Sequence, residues 1–94
     1  MTIRHEPDQN RFAVETDHGT AHLDYILTDG LITLVHTEVP VGAEGGGVGS
    51  ALAKAGLDHA RAEGLKVLPT CPFVLAYLRR HPEDRDLVLP GVRV

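Results

Sequence analysis

A run of glycines between a strand-like segment and a helix-like segment constrains this chain more than any other feature. Residues 41–50 read VGAEGGGVGS and hold five glycines. Before them, Leu31–Val39 is rich in β-branched residues and is typical of a strand. After them, apolar residues recur at the spacing of a helix that ends before Gly64. Glycines at a helix entrance let the backbone approach a ligand, and the first turn offers unpaired N–H groups and a positive dipole end. The loop therefore predicts an anion-binding site.

The spacing excludes two common phosphate-binding loops. Gly42 and Gly47 have the separation of a P-loop, but Val48 stands where that loop requires lysine. A dinucleotide fingerprint fails from either start, because its sixth position falls on Ser50 or on Leu52 instead of glycine or alanine. A passive connector remains the structural alternative, although a simple link rarely needs so many glycines at a helix entrance.

The first half of the chain predicts an antiparallel meander. Arg11–Asp17, Ala21–Thr28 and Leu31–Val39 alternate apolar and polar residues with the period of a half-buried strand. Asp29-Gly30 is a strong hairpin signal between the second and third of these segments. An earlier strand within residues 1–9 is expected around Ile3.

The second half predicts one parallel βαβ unit. The helix after the glycines leads to a short apolar strand at 65–70, then to a helix from Pro72 to about His81. Residues 87–89 are expected to form a last short strand. A right-handed crossover makes the strands at 31–39 and 65–70 parallel neighbours. We therefore predict one α/β (α+β) domain over residues 1–94, with a mixed sheet and helices packed on it.

Composition narrows the partners. The 94 residues carry a formal charge of −4, so the basic patch typical of nucleic-acid binding is not expected. With two Tyr, two Phe and no Trp, the chain also has few aromatic side chains on which bases could stack. No apolar run approaches the length of a membrane span, and the N-terminus lacks the apolar segment of a secretory signal. The single cysteine excludes internal disulfides and a zinc ribbon, and favours a reducing, cytoplasmic compartment.

Two longer motifs resemble a known family. The run HTEVPVGAEGGGVGSAL, followed by PTCPFVLAYLRRHPE, resembles the small GNAT-like N-acetyltransferases, and the similarity extends over residues 11–88. It is similar to a minimal subgroup that lacks the first helices of larger members. The resemblance implies that loop amides hold the pyrophosphate of coenzyme A. Glu44 departs from the family pattern, which has arginine or glutamine at that position. The implied coenzyme-binding residues are Val39, Gly45, Gly46, Gly47, Val48, Gly49 and Ser50.

Cys71 and His36 form a candidate catalytic pair. Cys71 precedes Pro72 at a predicted helix start, where orphan N–H groups stabilise a thiolate. The C-terminal ends of parallel neighbours lie together, so we expect His36 and Cys71 to meet and to form an acyl-enzyme or relay a proton. The alternative for Cys71 is a small buried hydrophobe. The resemblance implies that a Cys and a His at these positions are catalytic.

Tyr77 and Glu38 are further candidates. The resemblance implies that a tyrosine on the second helix protonates the departing thiolate of coenzyme A, and Tyr77 matches that location. A core aromatic with its hydroxyl at the surface is the alternative. Glu38 is a candidate general base for an amine, against the alternative of a solvated strand carboxylate. No metal is expected, because His18 and His22 flank a turn and no third ligand is placed near them.

Two functions remain open from the sequence. The first is acetyl-CoA-dependent transfer of an acetyl group to an amine. The acceptor side suits a protein tail or a polyamine as well as a small metabolite, and the net charge favours a cationic acceptor. The second is a non-catalytic acyl-CoA-binding or protein-interaction module on the same fold. With either function we expect no nucleic-acid or membrane partner, and a monomer or a weak homodimer.

Overall fold

A five-stranded mixed sheet organises the chain. The computed structural model describes all 94 residues. The first four strands form an antiparallel meander, and the fifth pairs in parallel with the fourth. The pattern predicted the last three strands of the meander and the parallel pair, whereas the first strand begins at Arg4, just after the expected Ile3. The strands follow the same order in the sheet as in the chain. The strands are β1 (Arg4–Glu6), β2 (Arg11–Thr16), β3 (Gly19–Thr28), β4 (Leu31–Glu38) and β5 (Lys66–Pro69). The helices are α1 (Val48–Glu63) and α2 (Pro72–Arg80), and 3-10 turns span Pro7–Gln9 and Pro82–Leu87.

The core lies on one face of the sheet. Apolar residues of β2, β3, β4 and β5 alternate inward and pack against α1 and α2, while their neighbours point to the other face. Gly56 lets α1 approach closely, because a Cβ there would lie 3.1 Å from Leu23 and 3.4 Å from Leu34. The other face carries many polar and partly exposed side chains. Neither helix combines the length and apolar character needed to cross a bilayer.

A β-bulge changes which residues of β4 face the core. Asp24 pairs with His36, whereas the next residue, Tyr25, pairs with Leu34, so Val35 is an extra residue in β4. Leu34 is buried before the bulge, and Thr37 is buried after it. The alternation is therefore shifted by one position in the last part of the strand.

β4 and β5 separate immediately after the same point. Their parallel pairing ends at Leu34 and Pro69. The N–H groups of Thr70 and Cys71 both donate to the Leu34 carbonyl, at 3.1 and 3.0 Å, as the chain turns from β5 into α2. The end of β4, from Val35 onward, consequently has no β5 neighbour.

The predicted last strand is wrong in extent. Residues 82–87 form a 3-10 turn, and only Val88 makes a bridge to Val67 of β5. The Leu89 N–H also donates to the Val67 carbonyl at 2.9 Å. Pro90 then follows and has no N–H with which to extend the pairing. The segment covers the outer edge of β5 without becoming a sixth strand.

Candidate functional site

A cleft of about 390 Å³ opens between the end of β4, the glycine loop and α2. On the side of β4 it is lined by Val39, the residue that directly follows the strand. Six of the seven predicted coenzyme-binding residues line it, and the seventh, Gly46, lies in an adjoining groove. The lining residues are Val39, Ala43, Glu44, Gly45, Gly47, Val48, Gly49, Ser50, Phe73, Ala76 and Arg80.

The loop leaves its backbone amides available. Gly47 is the N-cap of α1 and has φ +78° and ψ +12°, a left-handed conformation that strains any residue with a Cβ. The first bond of the helix runs from the Ala51 N–H to the Gly47 carbonyl at 2.9 Å. The N–H groups of Val48, Gly49 and Ser50 precede it and have no backbone acceptor. Three donors and the positive end of a sixteen-residue helix thus face the same region.

Gly49 is needed for packing as well. A Cβ at this position would lie 2.6 Å from the ring of Phe73, so the first turn of α1 and the start of α2 touch directly. Phe73 is 48% exposed and forms an apolar wall of the cleft. The end of the glycine loop and the start of α2 therefore pack directly against each other.

Arg80 lines the cleft, but the sequence analysis did not identify it as a functional residue. Arg80 donates from Nη2 to the Ser50 hydroxyl at 3.2 Å, while the carboxylate of Glu44 lines the same cleft. The sequence explains Arg80 by the favourable position of a positive charge in the last turn of a helix. The available signal was its spacing from Phe73 and Ala76, because residues 73, 76 and 80 share one helical face.

The structure does not bring His36 and Cys71 together. The Cys71 side chain is completely buried, and its Sγ is joined to the Thr37 hydroxyl by a hydrogen bond of 3.1 Å. His36 points to the opposite face of β4, with 59% of its side chain exposed. The bulge at Val35 is the cause, because it turns Thr37 inward where strict alternation from Leu34 would have placed His36. The predicted meeting of these two residues is wrong.

His36 instead joins a polar group on the open face of the sheet. Its Nε2 lies 3.7 Å from Glu38 Oε2, and His22 Nε2 lies 3.7 Å from the same oxygen. The other nitrogen of His22 is 2.9 Å from Asp24 Oδ1. This group lies beside the part of β4 that has lost its β5 partner.

Tyr77 lies away from the cleft. Its ring is 6% exposed and stacks on His81, with centroids 4.0 Å apart. Burial, and the nearby carboxylate of Asp84, raise the pKa of the Tyr77 hydroxyl above its usual value. The cleft-lining residues of α2 are on the adjacent face of the helix. This placement favours the core-aromatic alternative over a proton donor to a ligand in the cleft.

The histidines do not converge on a metal site. The ring of His18 lies against Gly42, where a Cβ would be 2.8 Å from Nδ1. His22 faces Asp24 and Glu38 on the sheet. No group of three or more His, Cys, Asp or Glu residues has an arrangement that holds a metal ion.

The fold and the loop define the class of this protein. A profile described as "GCN5-related N-acetyl-transferase" matches residues 11–87. The chain belongs to this family, and the resemblance seen in the sequence is confirmed. Membership supports acetyltransferase activity in general.

Individual relatives and a solved structure agree. The chain is 34% identical to Protein NATD1 of mouse over 85 residues, which is 87% of this chain and 77% of that protein. It has the same identity and the same coverage of this chain with human Protein NATD1, of which it spans 75%. A solution structure of a GCN5-like protein from Staphylococcus aureus, proposed there to be an N-acetyltransferase, superposes with a TM-score of 0.69 at 29% identity. That match covers 98% of this chain and 90% of the other.

Proposed function

We propose that this protein is an acetyl-CoA-dependent N-acetyltransferase that transfers an acetyl group to a cationic amine. The observation that carries the proposal is the cleft, in which unpaired α1 amides face a left-handed glycine turn beside a strand without its neighbour. Family membership makes acetyl-CoA the cosubstrate to test against this cleft.

The residues of the cleft suit coenzyme A in two respects. The amides of Val48, Gly49 and Ser50 and the helix dipole suit a pyrophosphate, since both favour negative charge at a helix N-terminus. The backbone from Val35 to Val39, the end of β4 and the residue after it, has N–H and C=O groups on the side that β5 has left. Backbone groups in such a position need partners, and the amide-rich pantetheine arm supplies them.

Direct transfer fits these side chains better than an acyl-cysteine intermediate. In direct transfer the cationic amine first gives up one proton, which exposes the lone pair of its nitrogen. The nitrogen then bonds to the acetyl carbon as the C–S bond breaks. The second proton of the nitrogen goes to the coenzyme A thiolate, so one proton is released overall. Cys71 is buried and bonded to Thr37, and no imidazole lies beside it to take its proton. On the open face, His36 and Glu38 lie at the unpaired end of β4, where we place removal of the proton from the amine.

The second candidate function is a non-catalytic acyl-CoA-binding module. One observation favours it: none of the three side chains predicted to be catalytic lines the cleft. This alternative shares the binding site with the enzyme and differs only in turnover. The single cysteine fits a reducing compartment, and we place either function in the cytoplasm.

Calorimetry with coenzyme A tests the shared part of both functions. Gly47→Val should weaken binding by at least about tenfold, because a β-branched residue in the left-handed region costs roughly 1–3 kcal/mol and displaces the loop. Gly30→Val is the matched control: Gly30 has φ +71°, and, as at Gly47, its Cβ would have nothing within 4 Å. Equal losses in the two variants would contradict a specific role of the loop.

Release of free thiol from acetyl-CoA in the presence of polyamines or a lysine-rich peptide separates the two functions. Acetylated amine detected by mass spectrometry supports the enzyme. Coenzyme A binding without thiol release across the amines supports the binding module. No binding by the wild-type protein at millimolar coenzyme A would overturn both.

A further inference from the structure

We propose that Arg80 is the side chain that binds the pyrophosphate of coenzyme A, in place of a cation at loop position 44. The inference rests on the proposed function, because it names a binding residue within the same cleft. It assigns the role to a residue on α2, on the opposite wall from the glycine loop.

The position of Arg80 supports the assignment. Its Nη2 lies 3.2 Å from the hydroxyl of Ser50, and Ser50 belongs to the first turn of α1, whose amides are unpaired. The guanidinium and those amides therefore border the same space from two sides. A bound anion at the start of α1 can accept from both without a change in either helix.

The bonding of Arg80 also distinguishes it from several other arginines. Arg4, Arg11 and Arg61 are held by carboxylates, whereas Arg80 makes no ion pair. Arg85 is bonded to the carbonyls of Leu78 and Arg79. A guanidinium has five N–H donors in a fork that matches phosphate oxygens, and Arg80 has one of these on a neutral hydroxyl.

The charge of the cleft requires such a group. Glu44 is the other charged residue that lines it, and a carboxylate repels a pyrophosphate. Without Arg80 the charged side chains of the cleft would be wholly negative. With Arg80, a charge-assisted and bidentate contact compensates for the carboxylate.

The decisive comparison is between Arg80→Ala and Arg79→Ala, with coenzyme A titrated by calorimetry at low salt. Arg79 is the matched control, since it is exposed on the same turn of α2 and does not line the cleft. We expect Arg80→Ala to raise Kd about tenfold or more and Arg79→Ala to change it less than about twofold. The ratio of the Kd of Arg80→Ala to that of Arg79→Ala should decrease at high salt, where exposed charges are screened. Circular dichroism confirms that both variants are folded.

Titration with dephospho-CoA shows which phosphate group of coenzyme A Arg80 contacts. This ligand keeps the pyrophosphate and lacks the 3′-phosphate, so Arg80→Ala should weaken its binding by the same factor. A loss seen with coenzyme A alone would overturn the assignment to the pyrophosphate. Adding Glu44→Arg to Arg80→Ala should recover most of the affinity, because it restores a cation on the loop side of the cleft.

The outcomes separate this inference from the function on which it rests. If the wild-type protein binds coenzyme A and Arg80→Ala binds it as well as Arg79→Ala does, the role of Arg80 is wrong and the binding function stands. If the wild-type protein does not bind coenzyme A, both are wrong.

Discussion

The two phenylalanines of this protein lie in regions with opposite physical characters. Phe12 is 4% exposed and belongs to an aromatic cluster formed with His5, Tyr25 and His59. Phe73 is 48% exposed and forms a wall of the cleft. In the aromatic cluster the polar atoms form hydrogen bonds with one another, as between His5 Nε2 and the Tyr25 hydroxyl at 2.7 Å. In the cleft, the first amides of α1 have no backbone acceptor and the Arg80 guanidinium bonds only to the Ser50 hydroxyl, so both have donors left for a ligand.

Replacing each phenylalanine with alanine should give the largest contrast. Phe12→Ala should lower the free energy of unfolding by about 3–5 kcal/mol, because it removes a buried ring and leaves a cavity. Phe73→Ala should lower it by less than about 1 kcal/mol, since half of its surface is already in contact with water. Urea denaturation measures both values.

Coenzyme A affinity should show the reverse order. At a temperature where both proteins are folded, Phe73→Ala should bind more weakly than Phe12→Ala. Equal stability losses, or an intact affinity in Phe73→Ala, would mean that the two regions are not specialised in this way.

Cys71→Ala tests whether the buried thiol belongs to the core or to the chemistry. It should lower the free energy of unfolding by about 1–2 kcal/mol, because the Thr37 hydroxyl loses its buried partner. Adding Thr37→Val should recover part of this loss, since both ends of the bond are then apolar. The rate of acetyl transfer should stay within a few-fold of the wild type. If Cys71→Ala lost turnover and kept its coenzyme A affinity, Cys71 would be a catalytic residue.

The aromatic cluster should give the free energy of unfolding a small dependence on pH. Burial, and then the neighbouring His59, hold the pKa of His5 below its ordinary value. The unfolded chain therefore binds a proton more readily, so this contribution is present above about pH 6.5 and is lost as the pH falls below it. Because His5 is exposed to solvent, the effect on the free energy of unfolding should be small.

Paired denaturation curves at pH 7.5 and pH 5.5 measure this effect. The groups that face His5 are the His59 ring, the Tyr25 hydroxyl and the ring of Phe12. His5→Gln should reduce the difference between the two curves. A difference of the same size in the variant would assign the pH dependence to other groups.

Local sequence patterns were enough to predict the strands of the meander, the parallel crossover and the glycine loop at the start of α1. Each depends on alternation, helical spacing or the φ angles open to glycine, which are properties of residues close together in the chain. The cap of α1 at Gly64 follows the same rule, since its N–H bonds to the carbonyls of Ala60 and Arg61. The coenzyme-binding residues were implied by the family resemblance, and six of the seven line one cleft.

Side-chain direction beyond the loop depended on tertiary structure. The bulge at Val35 is set by the pairing of β4 with β3, and it exchanged His36 for Thr37 as the neighbour of Cys71. The Tyr77 ring turned toward His81 instead of the cleft. Arg80 reached the start of α1 from a helix 30 residues further along the chain. A period-two pattern cannot show a one-residue insertion, and a helical pattern cannot show which distant element its exposed face will meet. Only the packing of α2 against α1 decided that an arginine would border the glycine loop.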